Sequence, residues 1–376
     1  MKENLSIYVH IPFCESKCFY CDFVSFKKTN EEKEFYVKNL INEIELNKTD
    51  NFLVKTIFIG GGTPSCLDEN QIAKILDALK NNFCIDKDCE ITIEVNPNSF
   101  TEEKAEVYKK IGINRISFGL QSSNNKLLKK INRIHTKKDF IESVKLAKKF
   151  GIFNINADIL LGLPNQTILD VKNTLRLLVK LDIPHISAYS LILEENTVLF
   201  NKVKNGEMKL PKEEKTIKMY DFCLKYLKKH GINRYEVSNF CKSGYECKHN
   251  LVYWNDENYL GLGLNCASKI RDERFENFAD FNSYYDAIKL NEKPIKNKYK
   301  LSLSEKKEEF IMLGLRKESG IDLKKYNKNY GEDLLKIKKN EIDFLKNNGF
   351  IEISQNNLKA TPLGFKVLNQ IILNLV

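Results

Sequence analysis

Short runs of β-branched and aromatic residues recur through the first half of the chain, and longer segments with helical periodicity separate them. Segments 68–83 and 101–112 are typical of the helical stretches, because their apolar residues return every three or four positions. Six of the short runs predict β-strands, at residues 6–11, 56–61, 90–95, 115–120, 154–161 and 185–191. Repeated alternation of strand and helix predicts an α/β fold with a parallel sheet, and six such units would form most of a barrel.

The pattern changes after about residue 230. Residues 231–290 are irregular and aromatic, and the charged segment 291–300 has the composition of a linker. Helices are then predicted at about 304–317 and 331–348, followed by a hairpin with "QNN" as its turn and a short terminal helix. We therefore expect three parts: residues 1–230, an extension at 231–295, and a small winged-helix-like α+β domain at 296–376. Without a basic recognition helix, a packing or lid role is favoured over DNA binding.

The composition is that of a large globular chain with a lysine-rich surface. The 376 residues are 42% apolar and carry a net charge of +10. Only seven of the 60 basic residues are arginine, and the lysines are spread over amphipathic segments, which argues against a nucleic-acid partner. An arginine in such a chain is expected to serve a geometric purpose. No secretory signal or membrane-spanning apolar run is recognised, so we expect a soluble cytoplasmic protein.

Three cysteines lie close together in "FCESKCFYCDF" (13–23). Cys14, Cys18 and Cys21 follow the spacing C-x3-C-x2-C. A structural zinc ion normally takes four protein ligands, whereas three thiolates on a cuboidal 4Fe–4S cluster leave one iron open for an exchangeable ligand. The alternatives are a zinc site completed by His10 or Cys66, and cysteines that only pack in the core.

A run of glycines in "IFIGGGTPS" (57–65) follows the second predicted strand. Consecutive glycines let the backbone approach a ligand closely, and we expect them to offer free N–H groups. No Gly-Lys-Ser/Thr follows, so the run is not a phosphate-binding P-loop, and its spacing does not give a dinucleotide fingerprint. Taken alone, the run would also be explained by a purely structural turn.

Six motifs occur in order along the chain: "YVHIPFCESKCFYCDF", "GGGTPS", "EVNPNS", "GINRISFGLQS", "INADILLGLP" and "HISAYSL". Together they resemble the radical S-adenosylmethionine superfamily, in particular the branch of oxygen-independent coproporphyrinogen III dehydrogenase and the HemW-type haem chaperones. The resemblance extends over roughly residues 5–375. It implies a partial (β/α)6 TIM-like barrel that binds a 4Fe–4S cluster and S-adenosylmethionine.

The resemblance also implies roles for individual residues. Cys14, Cys18 and Cys21 would ligate the cluster, while the methionine end of S-adenosylmethionine would chelate the open iron. The other implied cofactor-binding residues are Tyr8 beside the cluster, Gly61, Gly62 and Thr63 at the methionyl amino end, and Glu94, Gln121, Arg133 and Asp158 around the remainder. A guanidinium can fork onto a carboxylate, and a carboxylate can pair with an ammonium. Solvated or capping positions would explain Glu94, Gln121 and Asp158 equally simply.

Two features favour the haem-chaperone type over the dehydrogenase. The dehydrogenase pattern has a fourth cysteine two positions after the third, where this chain has Phe23. It also has a long extension before the first strand, whereas this chain is expected to reach that strand by about Ser6.

A further motif, "CKHNLVYWND" (247–256), resembles an H-N-x-x-Y-W pattern proposed for haem in HemW-type proteins. His249 would supply an imidazole to the haem iron, with Cys247 as a weaker candidate ligand. Tyr253 and Trp254 would pack on the porphyrin face. The alternative is a loop anchored by a buried tryptophan, with His249 hydrogen-bonded to the backbone.

The leading hypothesis is therefore a haem chaperone that delivers haem to an apoprotein, which could be membrane-associated, under control of the cluster and S-adenosylmethionine. A homodimer is compatible with the family. The alternative function is radical oxidative decarboxylation of coproporphyrinogen III. In that chemistry the reduced cluster cleaves S-adenosylmethionine to methionine and a 5′-deoxyadenosyl radical. The sequence leaves open whether the chain is an enzyme.

Overall fold

The computed structural model describes residues 2–376. A single 12-stranded sheet dominates the structure, with a parallel centre and antiparallel edges. All six strands predicted from the sequence are present, and each ends within one residue of its predicted end. They are β1 (Glu3–Ile11), β2 (Thr49–Gly61), β3 (Phe83–Val95), β4 (Arg115–Gln121), β5 (Asn154–Leu161) and β6 (His185–Ser190).

Six further strands extend this sheet at both edges. They are β7 (Asn233–Arg234), β8 (Asn239–Cys241), β9 (Tyr259–Leu262), β10 (Ala267–Ile270), β11 (Glu273–Asn277) and β12 (Ile295–Lys300). The order across the sheet is β12-β11-β10-β9-β1-β2-β3-β4-β5-β6-β8-β7. Over residues 2–376 the edge strands β7 and β12 do not pair with each other, so the sheet is an open partial barrel.

Ten helices accompany the large sheet. They are α1 (Asn30–Leu46), α2 (Glu69–Asn82), α3 (Glu102–Ile111), α4 (Asn125–Lys130), α5 (Lys137–Lys149), α6 (Ile168–Lys180), α7 (Val198–Lys204), α8 (Glu213–Lys229), α9 (Lys248–Trp254) and α10 (Phe281–Lys289). Capping boxes begin α1, α2, α5 and α6, where a Thr or Asp side chain and the side chain three residues later satisfy exposed N–H groups. Among residues 2–376, no helix is both long and apolar enough to cross a membrane.

The C-terminal part has its own three-stranded sheet and hydrophobic core. Its elements are α11 (Leu303–Gly314), β13 (Ile321–Asp322), α12 (Leu323–Tyr330), α13 (Leu334–Ile337), α14 (Lys339–Asn347), β14 (Ile351–Ser354), β15 (Asn357–Ala360) and α15 (Leu368–Leu375). The predicted hairpin is present as β14 and β15. Gln355 and Asn356 form its turn at positive φ values of 50° and 74°, which suits an Asn better than most residues.

Three expectations for the second half of the chain are wrong. The segment 231–290 is not irregular, because it supplies β7 to β11 and two helices. The expected linker at 291–300 contains β12, which pairs with β11. The single helix expected at 331–348 is divided into α13 and α14 at Lys338, and α12 was not foreseen. The division of the chain at residues 230 and 295 stays a prediction.

Ion pairs connect the two cores. Arg234 donates to Glu318 at 2.6 Å, Arg274 to Glu309 at 2.9 Å, and Lys306 pairs with Asp272 at 3.0 Å. The guanidinium of Arg234 also lies 3.5 Å from the ring centroid of Phe365. These charged and cation–π contacts act together with a backbone hydrogen bond from Glu318 to Tyr235 at 3.0 Å and with Val237, which packs against the C-terminal core.

Ile59 tests the core of the large sheet, because it is completely buried near the C-terminal end of β2. Ile59→Ala leaves a cavity and is expected to lower the free energy of unfolding by about 2–5 kcal/mol. Urea unfolding followed by circular dichroism measures the change. Ile337→Ala, at a half-exposed position of α13, serves as the control and should cost much less. Equal losses at the two positions would contradict the packing described here.

Candidate functional site

A loop between β1 and α1 carries the three clustered cysteines. Its base is closed by backbone hydrogen bonds from Cys14 to Phe26 at 3.0 Å and from Phe26 to Pro12 at 2.9 Å. Within the loop, the N–H of Cys21 donates to the carbonyl of Cys18 at 3.1 Å. The loop is thus tied at both ends and turned back on itself, and its cysteines are free and half-buried.

The three thiols line one cavity together with the glycine run and the ends of β3, β4 and β5. Over residues 2–376, no three His, Cys, Asp or Glu side chains converge closely enough to hold a single metal ion. A structural zinc ion normally takes four protein ligands, whereas the irons of a 4Fe–4S cluster each take a separate thiolate and three cysteines leave one iron open. The donor set therefore fits a 4Fe–4S cluster better than one zinc ion.

The two residues considered for a zinc site are used elsewhere. The ring of His10 is bonded at both nitrogens, with the Tyr8 hydroxyl 3.2 Å from Nδ1 and the Val24 carbonyl 3.1 Å from Nε2. Cys66 lines a separate groove between α1 and α2. Burial raises the pKa of the Cys66 thiol to about 12, so it is a poor ligand in its present surroundings. Neither residue completes a site with the loop cysteines.

The glycine run passes directly beneath the cysteine loop. Gly61 has a φ of 115°, and a Cβ atom there would lie 2.6 Å from the His10 ring. A Cβ atom on Gly62 would lie 2.5 Å from the carbonyl oxygen of Phe13, so a side chain at Gly62 would force the loop to move. The N–H groups of Gly62 and Thr63 donate to Ile11 and Phe13 at 2.9 and 2.7 Å. The expectation of free N–H groups is therefore wrong. The run brings backbone close to the cavity, and the Thr63 hydroxyl lies 3.4 Å from the Cys14 sulfur.

Arg133 reaches the cavity from the segment between α4 and α5. Its guanidinium donates to Asn96 at 3.0 Å and to the Gly119 carbonyl, and Nη1 lies 3.6 Å from the Cys18 sulfur. Its Nε donates to His135, and burial together with the Arg133 charge lowers the His135 pKa to about 3. A neutral His135 thus orients the guanidinium between the Cys18 sulfur and the cavity.

Two partly buried carboxyl groups lie on neighbouring parts of the same cavity. Glu94 accepts from the Gly61 N–H at 3.0 Å, and burial followed by the Asp158 charge raises its pKa to about 8. Burial also raises the pKa of Asp158, against hydrogen bonds from Asn156 at 2.8 Å and Ser117 at 3.2 Å. Neither group caps a helix, and partial desolvation raises the pKa of both, so a freely solvated position does not describe them.

Gln121 and Tyr8 complete the predicted set. Gln121 ends β4 at a φ of 62° and lines the cavity with Glu94 and Asp158. Tyr8 lies on β1 and belongs to an adjoining cavity of about 630 Å³, where its ring centroid is 6.4 Å from that of His249. The structure thus gathers all the predicted cofactor residues around two adjoining cavities, which share Glu94, Gln121 and Asp158.

His249 is a buried wall of the second cavity. Its Nδ1 is 2.7 Å from the Thr56 hydroxyl and its Nε2 is 3.0 Å from the Tyr253 hydroxyl. Burial and the charge of Arg115 lower the His249 pKa to about 3, so the imidazole is neutral. The alternative of a histidine bonded to backbone is therefore wrong, since both partners are side chains.

Trp254 and Cys247 do not reach this cavity. His249 and Tyr253 lie four residues apart on one face of α9 and line the cavity. The Trp254 ring instead packs against Arg316, whose guanidinium carbon lies 5.6 Å from the centroid of the indole. Cys247 is fully buried and its thiol points to Glu90 at 3.6 Å. The expectation that Trp254 packs on a ligand in this cavity is therefore not supported by its position.

The sequence reasoning missed several residues that line the two cavities: Asn96, Arg115, Ser117, Asn156 and Tyr189. Asn96 and Arg115 lie inside two of the quoted motifs, "EVNPNS" and "GINRISFGLQS". The rarity of arginine was the signal that could have singled out Arg115.

Comparison with known proteins identifies the class. The radical SAM superfamily model matches residues 8–178, and the HemN C-terminal domain model matches residues 301–367. The fold is that of Escherichia coli coproporphyrinogen III oxidase (HemN), with a TM-score of 0.88 and 20% identity over 100% of this chain and 90% of that one. The protein is thus a radical SAM protein, whose cofactors are a 4Fe–4S cluster and S-adenosylmethionine.

Curated relatives narrow the assignment. The chain is 36% identical to the heme chaperone HemW of Bacillus subtilis over 97% of both chains. It is 37% identical to that of Lactococcus lactis over 99% of this chain and 97% of the relative. It belongs to the HemW family.

Cys18 tests the cluster site. Cys18→Ala removes one of three thiolates, and we expect the anaerobically reconstituted variant to lose most of its iron and acid-labile sulfide. Cys66→Ala is the matched control, because this half-buried cysteine lies in the other groove. Loss of metal from Cys66→Ala, or zinc in place of iron in the purified protein, would contradict the assignment.

Glu94 links stability to pH. Its folded-state pKa of about 8 lies above its ordinary value of 4.5, so its contribution to stability is complete below pH 4.5 and is lost as the pH rises to about 8. Relative to the wild type, Glu94→Gln should therefore gain stability in the cofactor-free protein as the pH rises from about 5.5 to about 8, while binding S-adenosylmethionine more weakly. Urea unfolding at about pH 5.5 and pH 8 and equilibrium dialysis test the two effects. The exposed Glu106→Gln should show neither effect. A difference in unfolding free energy between the wild type and Glu94→Gln that stays constant over this pH range would refute the argument.

Proposed function

We propose that this protein is a haem chaperone, which binds haem and delivers it to an apoprotein. The observation that carries the proposal is the end-to-end similarity to proteins curated as heme chaperone HemW, at 36–37% identity over 97–99% of the chain. Such coverage includes the cysteine loop, α9 and the C-terminal part together. We further propose a cytoplasmic location, a homodimer, and an acceptor that is membrane-associated.

Within this function we assign the cluster to Cys14, Cys18 and Cys21. Bound S-adenosylmethionine would supply a radical source or a conformational signal on reduction of the cluster. Arg133 would bind its carboxylate and Glu94 its ammonium, with Gly61, Gly62 and Thr63 placing backbone and hydroxyl groups against the methionyl end. Gln121, Asp158 and Tyr8 would form the remaining walls.

The second cavity is the proposed haem site. Its volume of about 630 Å³ falls within the range of roughly 300–1,000 Å³ that small-molecule sites occupy. Tyr189, Leu191 and Ile192 give it an apolar side, and His249 offers a neutral imidazole, the form that ligates iron. Ligation through Nε2 requires the hydrogen bond with Tyr253 to be released.

The competing function is decarboxylation of coproporphyrinogen III. The likeness to HemN at 20% identity shows a shared fold alone. Phe23, whose side chain is 68% exposed at the edge of both cavities, stands where that enzyme's pattern has a fourth cysteine. This position favours the chaperone.

An anaerobic haem titration of the cluster-reconstituted protein, followed by Soret absorbance, tests the proposal. We expect saturation near one haem per chain and at least tenfold weaker binding by His249→Ala, a loss of about 1.4 kcal/mol. His230→Ala, which changes an exposed histidine at the end of α8, should bind as the wild type does. Absence of saturable binding together with coproporphyrinogen III turnover would establish the competing function instead.

A further inference from the structure

Arg115 is the largest fully buried side chain among residues 2–376, and the proposed cofactor site does not use it. It begins β4, and its side chain is 1% exposed. Its Nε has no hydrogen-bond partner within the described chain. A buried polar atom without a partner is rare and costly, and a buried cation more so, which makes this side chain unusual.

Glu90, a carboxylate close enough to Arg115 to act on its charge, is already engaged by the start of α9. Glu90 accepts from the N–H of His249 at 3.1 Å and from the N–H of Lys248 at 3.2 Å, and the Cys247 thiol lies 3.6 Å away. These bonds hold the carboxylate at the N-terminal end of the helix. The Arg115 guanidinium therefore has unused hydrogen-bonding capacity, because the Glu90 carboxylate is bonded to the N-terminal end of α9.

Arg115 lies at the end of the second cavity that is opposite to the cysteine loop. The cavity is lined by Arg115 at the beginning of β4 and by Gln121 at its end. Six residues at about 3.3 Å each separate these positions by roughly 20 Å of strand. Cys21 and Phe23 lie at the Gln121 end, so a ligand that entered past the cluster would meet the guanidinium last.

The other polar groups at this end already have partners. The side-chain oxygen of Asn156 accepts from His185 at 2.7 Å and from Ser187 at 3.1 Å, and its side-chain nitrogen donates to Ser117 at 2.8 Å. Arg115 is thus the one group there that combines a full charge with an unpartnered donor. The cavity has a cationic end and, around Leu191 and Ile192, an apolar side.

We propose that Arg115 binds a carboxylate of the molecule held in this cavity. Resting on the proposed function, this carboxylate is a propionate of haem, and the apolar part of the ring lies towards Leu191 and Ile192. A guanidinium presents two parallel N–H groups to a carboxylate, which a lysine cannot do. That geometry explains an arginine at this position in a chain with only seven.

The test compares haem with haem dimethyl ester, in which both propionates are neutral, by anaerobic Soret titration. Wild-type protein should bind the ester about 10- to 100-fold more weakly than haem, the size expected for one lost charged hydrogen-bond pair. Arg115→Met should weaken haem binding by a similar factor while leaving ester binding within twofold. Arg176→Met changes an exposed arginine on α6 and should preserve the difference between the two ligands.

The outcomes separate this inference from the proposed function. Equal affinity of the wild type for haem and its ester overturns the role of Arg115 and leaves the chaperone function intact. Equal weakening of both ligands by Arg115→Met also overturns it, because a general packing defect would act on both. If the variant does not fold, the wild-type comparison and Arg115→Gln decide. A wild type that binds neither ligand ends both proposals.

Discussion

Burial of ionisable side chains in one place is the constraint on which the site depends. Parallel strands bring their carboxyl ends to one edge of the sheet. Glu94, Gln121 and Asp158 therefore converge, although 64 residues separate Glu94 from Asp158 in the sequence. Each group loses water there. Hydrogen bonds from neighbours offset the cost for Asp158, whereas Glu94 keeps one from Gly61 and a pKa of about 8. A ligand with an ammonium and a carboxylate group can offset the charge of both Glu94 and Arg133.

The core of the fold follows from the sequence because its strands are buried on both faces. β1 to β6 each contain a buried run of β-branched, aliphatic or aromatic residues, which is the pattern of central parallel strands. The outer strands could not be recognised in this way. β12 is exposed at nearly every position after Ile295, and β7 has two residues, so neither has an apolar pattern to detect. Their pairing depends on neighbours distant in sequence.

The functional site likewise has a part that could be predicted from the sequence and a part that could not. Residue types and spacing identified the cysteines and the glycine run, and the resemblance to the radical S-adenosylmethionine superfamily supplied the polar residues at the strand ends. They could not identify hydrogen-bond partners. Thr56 and His249 are 193 residues apart, and Glu90 and His249 are 159 apart. The buried state of His249 and the unpartnered Nε of Arg115 result from such contacts, which no local pattern encodes.

Release is as demanding as binding for a protein that passes on its ligand. In the proposed function, iron ligation by His249 replaces its hydrogen bond with Tyr253, and release restores that bond. A hydrogen bond of this kind is worth about 1 kcal/mol net, so the exchange lowers the affinity for haem by roughly fivefold relative to a free imidazole. The Tyr253 hydroxyl, four residues from His249 on α9, thereby lowers the affinity for haem. The same side chains can then serve capture and transfer, since departure of the ligand leaves no unsatisfied polar group at His249.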